Sequence, residues 1–325
     1  MKKYNWAILG AGTIANEMAQ ALHKVNGEIY AVGNRSKDKA VAFAKKYQVQ
    51  KVYENYHDMF TDPLVDIIYI ATPHNSHYEY LMEAVKNGKH VLCEKAITIN
   101  DEQLFEVLKI AKENKVQVME AMTIYHMPLY KRLKEIIQSG AIGKVKLVQV
   151  NFGSCKEYDV NNRFFSKELA GGALLDIGVY AMSFARYFIN SKPEQILTTV
   201  NYFETGVDEE SGILMKNREG QMVVTALTMR AKQPKCGVIA GEKGFIEVEN
   251  YPRAHKATIT YTADGHVETI EVGEVNKALA YEVEAMQAAL ENSKADETLT
   301  YTMDVMTMLT EIRKQWGFIY PFETK

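Results

Sequence analysis

Cysteine is scarce in this chain. Three residues, Cys93, Cys155 and Cys236, stand far apart without CxxC spacing. That argues against a disulfide framework and fits free thiols in a reducing cytoplasm. A strong charge of one sign is also lacking. Lys and Arg number 38 against 41 Asp and Glu, leaving a formal net charge of -3. Neither nucleic acid nor an anionic membrane therefore has an electrostatic footing. No apolar run reaches the length needed to cross a bilayer. Met1-Lys2-Lys3-Tyr4-Asn5 passes directly into a first strand, which leaves no room for a signal peptide. Internal repeats, low-complexity tracts and long linkers are missing too. What remains, at 47% hydrophobic and 24% charged, is the composition of a globular protein long enough for two domains.

The most informative segment lies almost at the first residue. A short apolar strand, Trp6 to Leu9, runs into Gly10-Ala11-Gly12-Thr13-Ile14-Ala15, and a helical pattern follows from Ile14 to Val25. Each small residue has a physical task here. Gly10 permits the tight strand-to-helix turn, Gly12 lets backbone approach a pyrophosphate, and Ala15 lets the helix pack on the strand. The helix start at Thr13 and Ile14 presents free N–H groups and a positive dipole end to phosphates.

A second strand, Glu28 to Gly33, follows at the distance a dinucleotide fold requires and ends in Asn34-Arg35-Ser36. A site for NAD places Asp or Glu at this strand end to hold the ribose 2′-hydroxyl. Asn34 stands there instead, followed by a guanidinium and a hydroxyl. Arg35 and Ser36 suit a 2′-phosphate, because Arg offers charge and a fork of donors. NADP is therefore expected over NAD, although Arg35 also fits the role of a solvated loop cation.

The first third alternates strand and helix. Helices are expected over Lys37 to Tyr47, Glu54 to Phe60, His77 to Asn87 and Asp101 to Asn114, with strands at Asp66 to Ala71, His90 to Cys93 and Gln117 to Glu120. Such alternation implies βαβ units and a doubly wound parallel sheet, a Rossmann domain over residues 1–121. From about residue 145 eight strand-like runs succeed one another through short polar turns such as Asn217-Arg218-Glu219-Gly220. This predicts a large, mostly antiparallel sheet. Helices at Leu174 to Ile189, Asn276 to Leu290 and Met303 to Trp316 would cover one face. The fold class is thus α/β, with a second α+β domain over residues 122–325 whose last helix is free to return to the first. A sheet with one uncovered, weakly polar face implies a homodimer through that face.

Two further segments carry polar residues suited to chemistry. One strand ends in Cys93-Glu94-Lys95, at the carboxyl side where parallel sheets bind ligands. Farther on, Gly171-Gly172-Ala173-Leu174-Leu175-Asp176-Ile177-Gly178-Val179-Tyr180 places Asp176 and Tyr180 four apart at a helix start, on one face.

The glycine turn, Ala71-Thr72-Pro73-His74-Asn75-Ser76-His77, Cys93-Glu94-Lys95 and Gly-Gly-x-Leu-Leu-Asp-Ile-Gly-Val-Tyr together resemble the Gfo/Idh/MocA oxidoreductases. The likeness spans both domains, and its Asp-x-x-x-Tyr form is similar to the branch of dihydrodiol dehydrogenases, NADP-linked xylose dehydrogenases and glucose–fructose oxidoreductase. It implies that Lys95 and Tyr180 are catalytic and that Asp176 helps hold the substrate. It also implies that Thr72, Pro73, His74, Asn75, His77 and Glu94 line the cofactor. Oxidising a secondary alcohol requires removal of a hydroxyl proton, and a free Tyr, with a pKa of about 10, is a poor base near neutrality. A neighbouring ammonium favours the phenolate, so Lys95 is a natural partner for Tyr180. Lys95 is equally suited to donate to the substrate oxygen.

The departures from the family pattern carry information as well. Ala96 stands where proline usually follows the lysine, which loosens the expected turn. The segment around Thr123 resembles one that in dihydrodiol dehydrogenases carries a Trp and an Arg-Phe pair; Thr123 stands at the Trp position and Tyr125-His126 near the Arg position, so no aromatic platform for a flat diol is expected. Tyr125 and Arg163 are candidate substrate contacts, Arg163 being equally suited to a solvated loop. His74 and His77 have a spacing seen in metal sites but no third ligand, so no metal is expected. The expected activity is an NADP-dependent dehydrogenase or reductase of a small polyhydroxylated or carbonyl compound. A cofactor-retaining oxidoreductase of glucose–fructose type and a catalytically silent NADP sensor are the alternatives.

Overall fold

β1 (Asn5–Leu9) opens the first unit, and four of its five side chains are fully buried, as expected for a central parallel strand covered on both faces. After it come α1 (Thr13–Lys24), β2 (Glu28–Gly33), α2 (Lys37–Tyr47), β3 (Lys51–Tyr53), α3 (Tyr56–Thr61), β4 (Ile67–Ile70), α4 (His74–Lys86), β5 (His90–Glu94), α5 (Asp101–Glu113) and β6 (Val118–Ala121). The computed structural model describes residues 3–160, 162–292 and 297–323; Met1 and Lys2 of the leading run lie outside the described residues. All six strands pair in parallel, in the order β3-β2-β1-β4-β5-β6. This is the doubly wound order, with its switch point between β1 and β4. The all-apolar β4, Ile-Ile-Tyr-Ile, is buried throughout, and Trp6, Phe60 and Tyr69 are the largest side chains of this core.

The second unit begins at Met122. It contains α6 (Thr123–His126), α7 (Pro128–Gln138), β7 (Val145–Gly153) and α8 (Val179–Phe188). β8 (Gln195–Tyr202), β9 (Asp208–Lys216), β10 (Met222–Thr228), β11 (Gln233–Gly241), β12 (Gly244–Glu249), β13 (Lys256–Tyr261) and β14 (Val267–Glu271) complete its sheet. The eight strands are ordered β14-β13-β12-β11-β7-β10-β9-β8. Every pairing is antiparallel except β7 with β10. α8 lies on this sheet. A Cβ on Gly237 of β11 would strike the Phe184 ring of α8, so glycine there lets helix and sheet approach.

α9 (Ala278–Glu291) and α10 (Leu299–Gln315) close the chain. Leu279–Thr300 clusters with the first unit, and Tyr301–Lys325 with the second. The expectation that α9 covers the second sheet is therefore replaced, because its packing partners belong to the Rossmann unit. α7 has no counterpart in the sequence reading. Pro128 starts it, and Leu129, Tyr130, Leu133 and Ile136 form its buried stripe.

One stretch, Lys167–Phe188, is long and apolar enough to span a membrane by length and composition, contrary to the sequence reading. In its most apolar 18-residue window 83% is buried within the protein, and the stretch is broken into separate helical pieces, which makes it core.

Candidate active site

In the first unit the glycine turn has the geometry its residues imply. Gly10 has φ +113°, and a Cβ there would lie 2.6 Å from the Ala71 carbonyl oxygen, so only glycine fits. Gly12 is the N-cap of α1, with no side-chain cap and no acid in the first turn, and a Cβ on it would meet nothing within 4 Å. Thr13 and Ile14 start the helix, and Ala15 is buried beneath it. A helix N-terminus with this open approach fits a pyrophosphate.

At the end of β2, the Asn34 amide donates to the Ser36 carbonyl at 3.0 Å, leaving Arg35 and Ser36 exposed. Burial pushes the Tyr56 and Tyr80 phenols up, and the Arg35 charge partly opposes this in both, which places the guanidinium near the two rings. An exposed cation at this strand end fits a 2′-phosphate.

Pro73 is the N-cap of α4, so the helix begins at His74 and not at His77. The fixed φ of proline suits a helix start, and reading Thr72-Pro73 as a stop placed the helix three residues late. The two histidines thus stand one turn apart and turn their rings to backbone. His74 Nε2 lies 3.1 Å from the Lys95 carbonyl oxygen. His77 Nδ1 lies 3.0 Å from the Ala96 carbonyl oxygen and its Nε2 2.8 Å from that of Thr72. The Ser76 hydroxyl donates to Thr72 Oγ1 at 2.8 Å, and Asn75 is half-buried between them.

These bonds bear on Lys95. It is half-buried just beyond β5, and the Lys95–Ala96 peptide is cis. The turn is not loose despite Ala96: alanine is fully buried, His74 and His77 hold two successive carbonyls, and the Ile97 N–H donates to Glu120 at 3.1 Å. The preceding Glu94 accepts from Tyr69, whose phenol is pushed well up by burial and then by the Glu94 charge.

In the second unit Gly172 has φ +115°, and a Cβ on it would run into the Asp208 carboxylate. Asp208 is buried and accepts from the Leu174 N–H at 2.6 Å, so it caps the helical segment that follows. Burial raises its pKa to about 6 against the N–H donors that favour the anion. Residues Leu174–Gly178 form a wide π-helical turn before α8, a form that recurs at functional sites. Asp176 lies in that turn, buried, and Tyr180 in the first turn of α8, half-buried with its ring 6.2 Å from Phe152 of β7. Lys156 Nζ stands 3.6 Å from Asp176 Oδ2, and Arg163 Nη2 3.8 Å from its Oδ1. Arg163 is thus gathered to Asp176. Tyr125 is not: it is 1% exposed and packs on Tyr187 and Tyr301, so its ring belongs to an aromatic core. The Thr123 hydroxyl donates to the Pro252 carbonyl. Sequence reasoning missed Asp208 and Lys156. Asp208 has no local signal, whereas Lys156 follows the end of a predicted strand, where site residues gather.

A parallel sheet in doubly wound order, its glycine turn open at a helix end, and a lysine at a strand's carboxyl end define a class, the nucleotide-dependent oxidoreductases. Within it, the chain belongs to the Gfo/Idh/MocA family: residues 4–122 match that oxidoreductase family's NAD-binding Rossmann fold and residues 130–247 its C-terminal domain. It is 30% identical to a trans-1,2-dihydrobenzene-1,2-diol dehydrogenase of Xenopus laevis, over 97% of this chain and 99% of the relative. It is 27% identical to an NADP(+) scyllo-inositol 2-dehydrogenase of Bacillus subtilis, over 97% and 98%. A D-xylose 1-dehydrogenase (NADP(+)) of Hypocrea jecorina is 29% identical, over 97% and 93%. Among solved structures, a 3-ketoreductase from Actinomadura kijaniata in complex with NADP and TDP-benzene superposes with TM-score 0.87 at 21% identity, over 96% and 98% of the chains. Levoglucosan dehydrogenase with NADH and levoglucosan superposes with TM-score 0.88 at 18% identity, over 97% and 98%.

Proposed function

We propose that this oxidoreductase interconverts a secondary alcohol and a carbonyl on a small polyhydroxylated substrate, a sugar, polyol or diol, with NADP as its cofactor. The observation that carries the reading is the turn beyond β5, where two histidines hold the carbonyls of Lys95 and Ala96 and so fix a lysine at the sheet's ligand-binding edge. The relatives named for diol, inositol and xylose oxidation support the substrate class, and two of those names specify NADP(+). Arg35 beside Asn34 supports the same cofactor. When bound, nicotinamide supplies the hydride acceptor or donor.

The chain's own residues then have distinct tasks. Tyr180 takes the hydroxyl proton in oxidation and returns it in reduction. Lys95 steadies negative charge as it develops on the substrate oxygen. Asp176 accepts a hydrogen bond from a further substrate hydroxyl, and Arg163 reaches the substrate's far side. Gly10, Gly12, Thr13, Ile14, Asn34, Arg35 and Ser36, with Thr72 to Asn75, His77 and Glu94, form the cofactor side.

Turnover of aldoses, inositols and diols by wild type and Tyr180→Phe tests the reading. The variant should lose about 10²–10⁴-fold in kcat with cofactor affinity unchanged. Near-wild-type turnover would remove Tyr180 from the chemistry, and cofactor retained through gel filtration would favour a recycling enzyme.

A homodimer through the open face of the second sheet is part of the proposal. Leu197, Leu214 and Val224 are register neighbours across β8, β9 and β10, and are 67%, 37% and 39% exposed. An apolar row of this kind on an exposed sheet is a natural pairing surface. Light scattering that returned a single 36.8 kDa chain would refute it. Cys93, Cys155 and Cys236, all free thiols, support a reducing compartment such as the cytoplasm.

A further inference from the structure

The substrate side of the second unit carries more positive charge than a neutral polyol needs. Lys156 and Arg163 both approach Asp176, at 3.6 and 3.8 Å, well beyond the roughly 2.7–2.9 Å of a tight charge-assisted hydrogen bond. Both cations also stand on the Phe164 ring, Lys156 Nζ at 3.7 Å from its centroid and the Arg163 guanidinium carbon at 4.3 Å. A third cation comes from β11: Lys235 Nζ lies 4.8 Å from the centroid of Phe152, the ring beside Tyr180. Burial lowers the Lys235 pKa, Lys232 and Lys156 lower it further, and only Asp176 opposes them, so these charges sense one another. Asp176 thus stands against two cations, with Lys235 as a further positive charge in its field.

Holding like charges together in a partly desolvated place is costly unless an anion arrives to share them. A hydroxyl group does not meet that need.

We infer that the substrate bears a carboxylate or phosphate on its hydroxylated skeleton, seated by Lys156, Arg163 and Lys235, while Asp176 takes a hydroxyl. The inference rests on the reading that Asp176 and Tyr180 face the substrate. It names the substrate class as anionic sugars or polyols.

Isothermal titration of the full chain with D-glucose, D-glucuronate and D-glucose 6-phosphate, which differ only at one carbon, provides the test. At least one anion should bind tenfold or more tightly than glucose, glucuronate identifying a carboxylate and the 6-phosphate a phosphate. Lys235→Met, and independently Lys156→Gln, should reduce that preference at least tenfold, with each variant's fold checked by its melting transition. Glucose binding as tightly as both anions, or folded variants that keep the full preference, would overturn the inference. Because the titration needs no turnover, it is separate from the hydride-transfer reading, which Tyr180→Phe kinetics addresses alone.

Discussion

The two units hold their key side chains in different ways. In the first, Lys95 sits on a turn fixed by His74 and His77, which are 21 and 19 residues from the carbonyls they hold, within consecutive strand–helix–strand units. In the second, the segment bearing Asp176 and Tyr180 is held by Asp208, 34 residues away, and faced by cations from a loop after β7. A site built within one βαβ repeat is written in adjacent segments, because a parallel sheet sends each strand's end to the same edge. A site built on an antiparallel sheet draws on strands whose order in space departs from their order in sequence.

The local arrangement breaks most directly at His77. His77→Leu removes the ring that bonds backbone carbonyls in a buried place and should cost about 2–5 kcal/mol, read by denaturant unfolding. A loss within a few tenths of a kcal/mol would mean that the turn at Lys95 is held by other bonds.

The long-range arrangement is probed through Asp208. Its unfolded carboxyl ionises near the ordinary 3.8, whereas the folded one keeps its proton up to about 6. The folded state therefore binds more protons in that window, and its contribution, full below about pH 4, is lost as pH rises through about 6. The change amounts to roughly 3 kcal/mol at 1.36 kcal/mol per unit. The stability difference between wild type and Asp208→Asn should fall by that amount from about pH 2 to pH 8, about 2 kcal/mol of it between pH 4 and 6. A difference independent of pH would refute the shift.

The smallest effect concerns the cofactor end of the local arrangement. Arg35→Ala should weaken NADP binding by about 1.5–3 kcal/mol and leave NAD nearly unchanged, measured by titration of both. Equal losses would remove the 2′-phosphate role from Arg35.

Much of this was legible beforehand, and the misses have physical causes. The strands of the first sheet are short buried runs bounded by glycine, proline and polar residues, and such runs announce themselves. α4 began one turn early because Pro73 starts a helix as readily as it stops one. Arg163 was open between solvent and substrate until the fold brought it within 3.8 Å of Asp176. Tyr125 read as a substrate contact because an aromatic beside a motif looks the same whether it faces a ligand or a core. Its neighbours Tyr187 and Tyr301 lie 62 and 176 positions farther along, beyond any local pattern.

By itself the sequence determined the nucleotide-binding turn, the alternation that makes a doubly wound sheet, and the segments where Lys95, Asp176 and Tyr180 would fall. Backbone geometry and hydrophobic periodicity are local, and both can be read a few residues at a time. Only the tertiary structure decided that two histidines serve the backbone of the Lys95 turn, that Asp208 caps the π turn, and that Lys156 and Arg163 converge on one carboxylate. Hydrogen bonds and charge act across space, and the distance between two side chains is set by the fold, not by their separation along the chain.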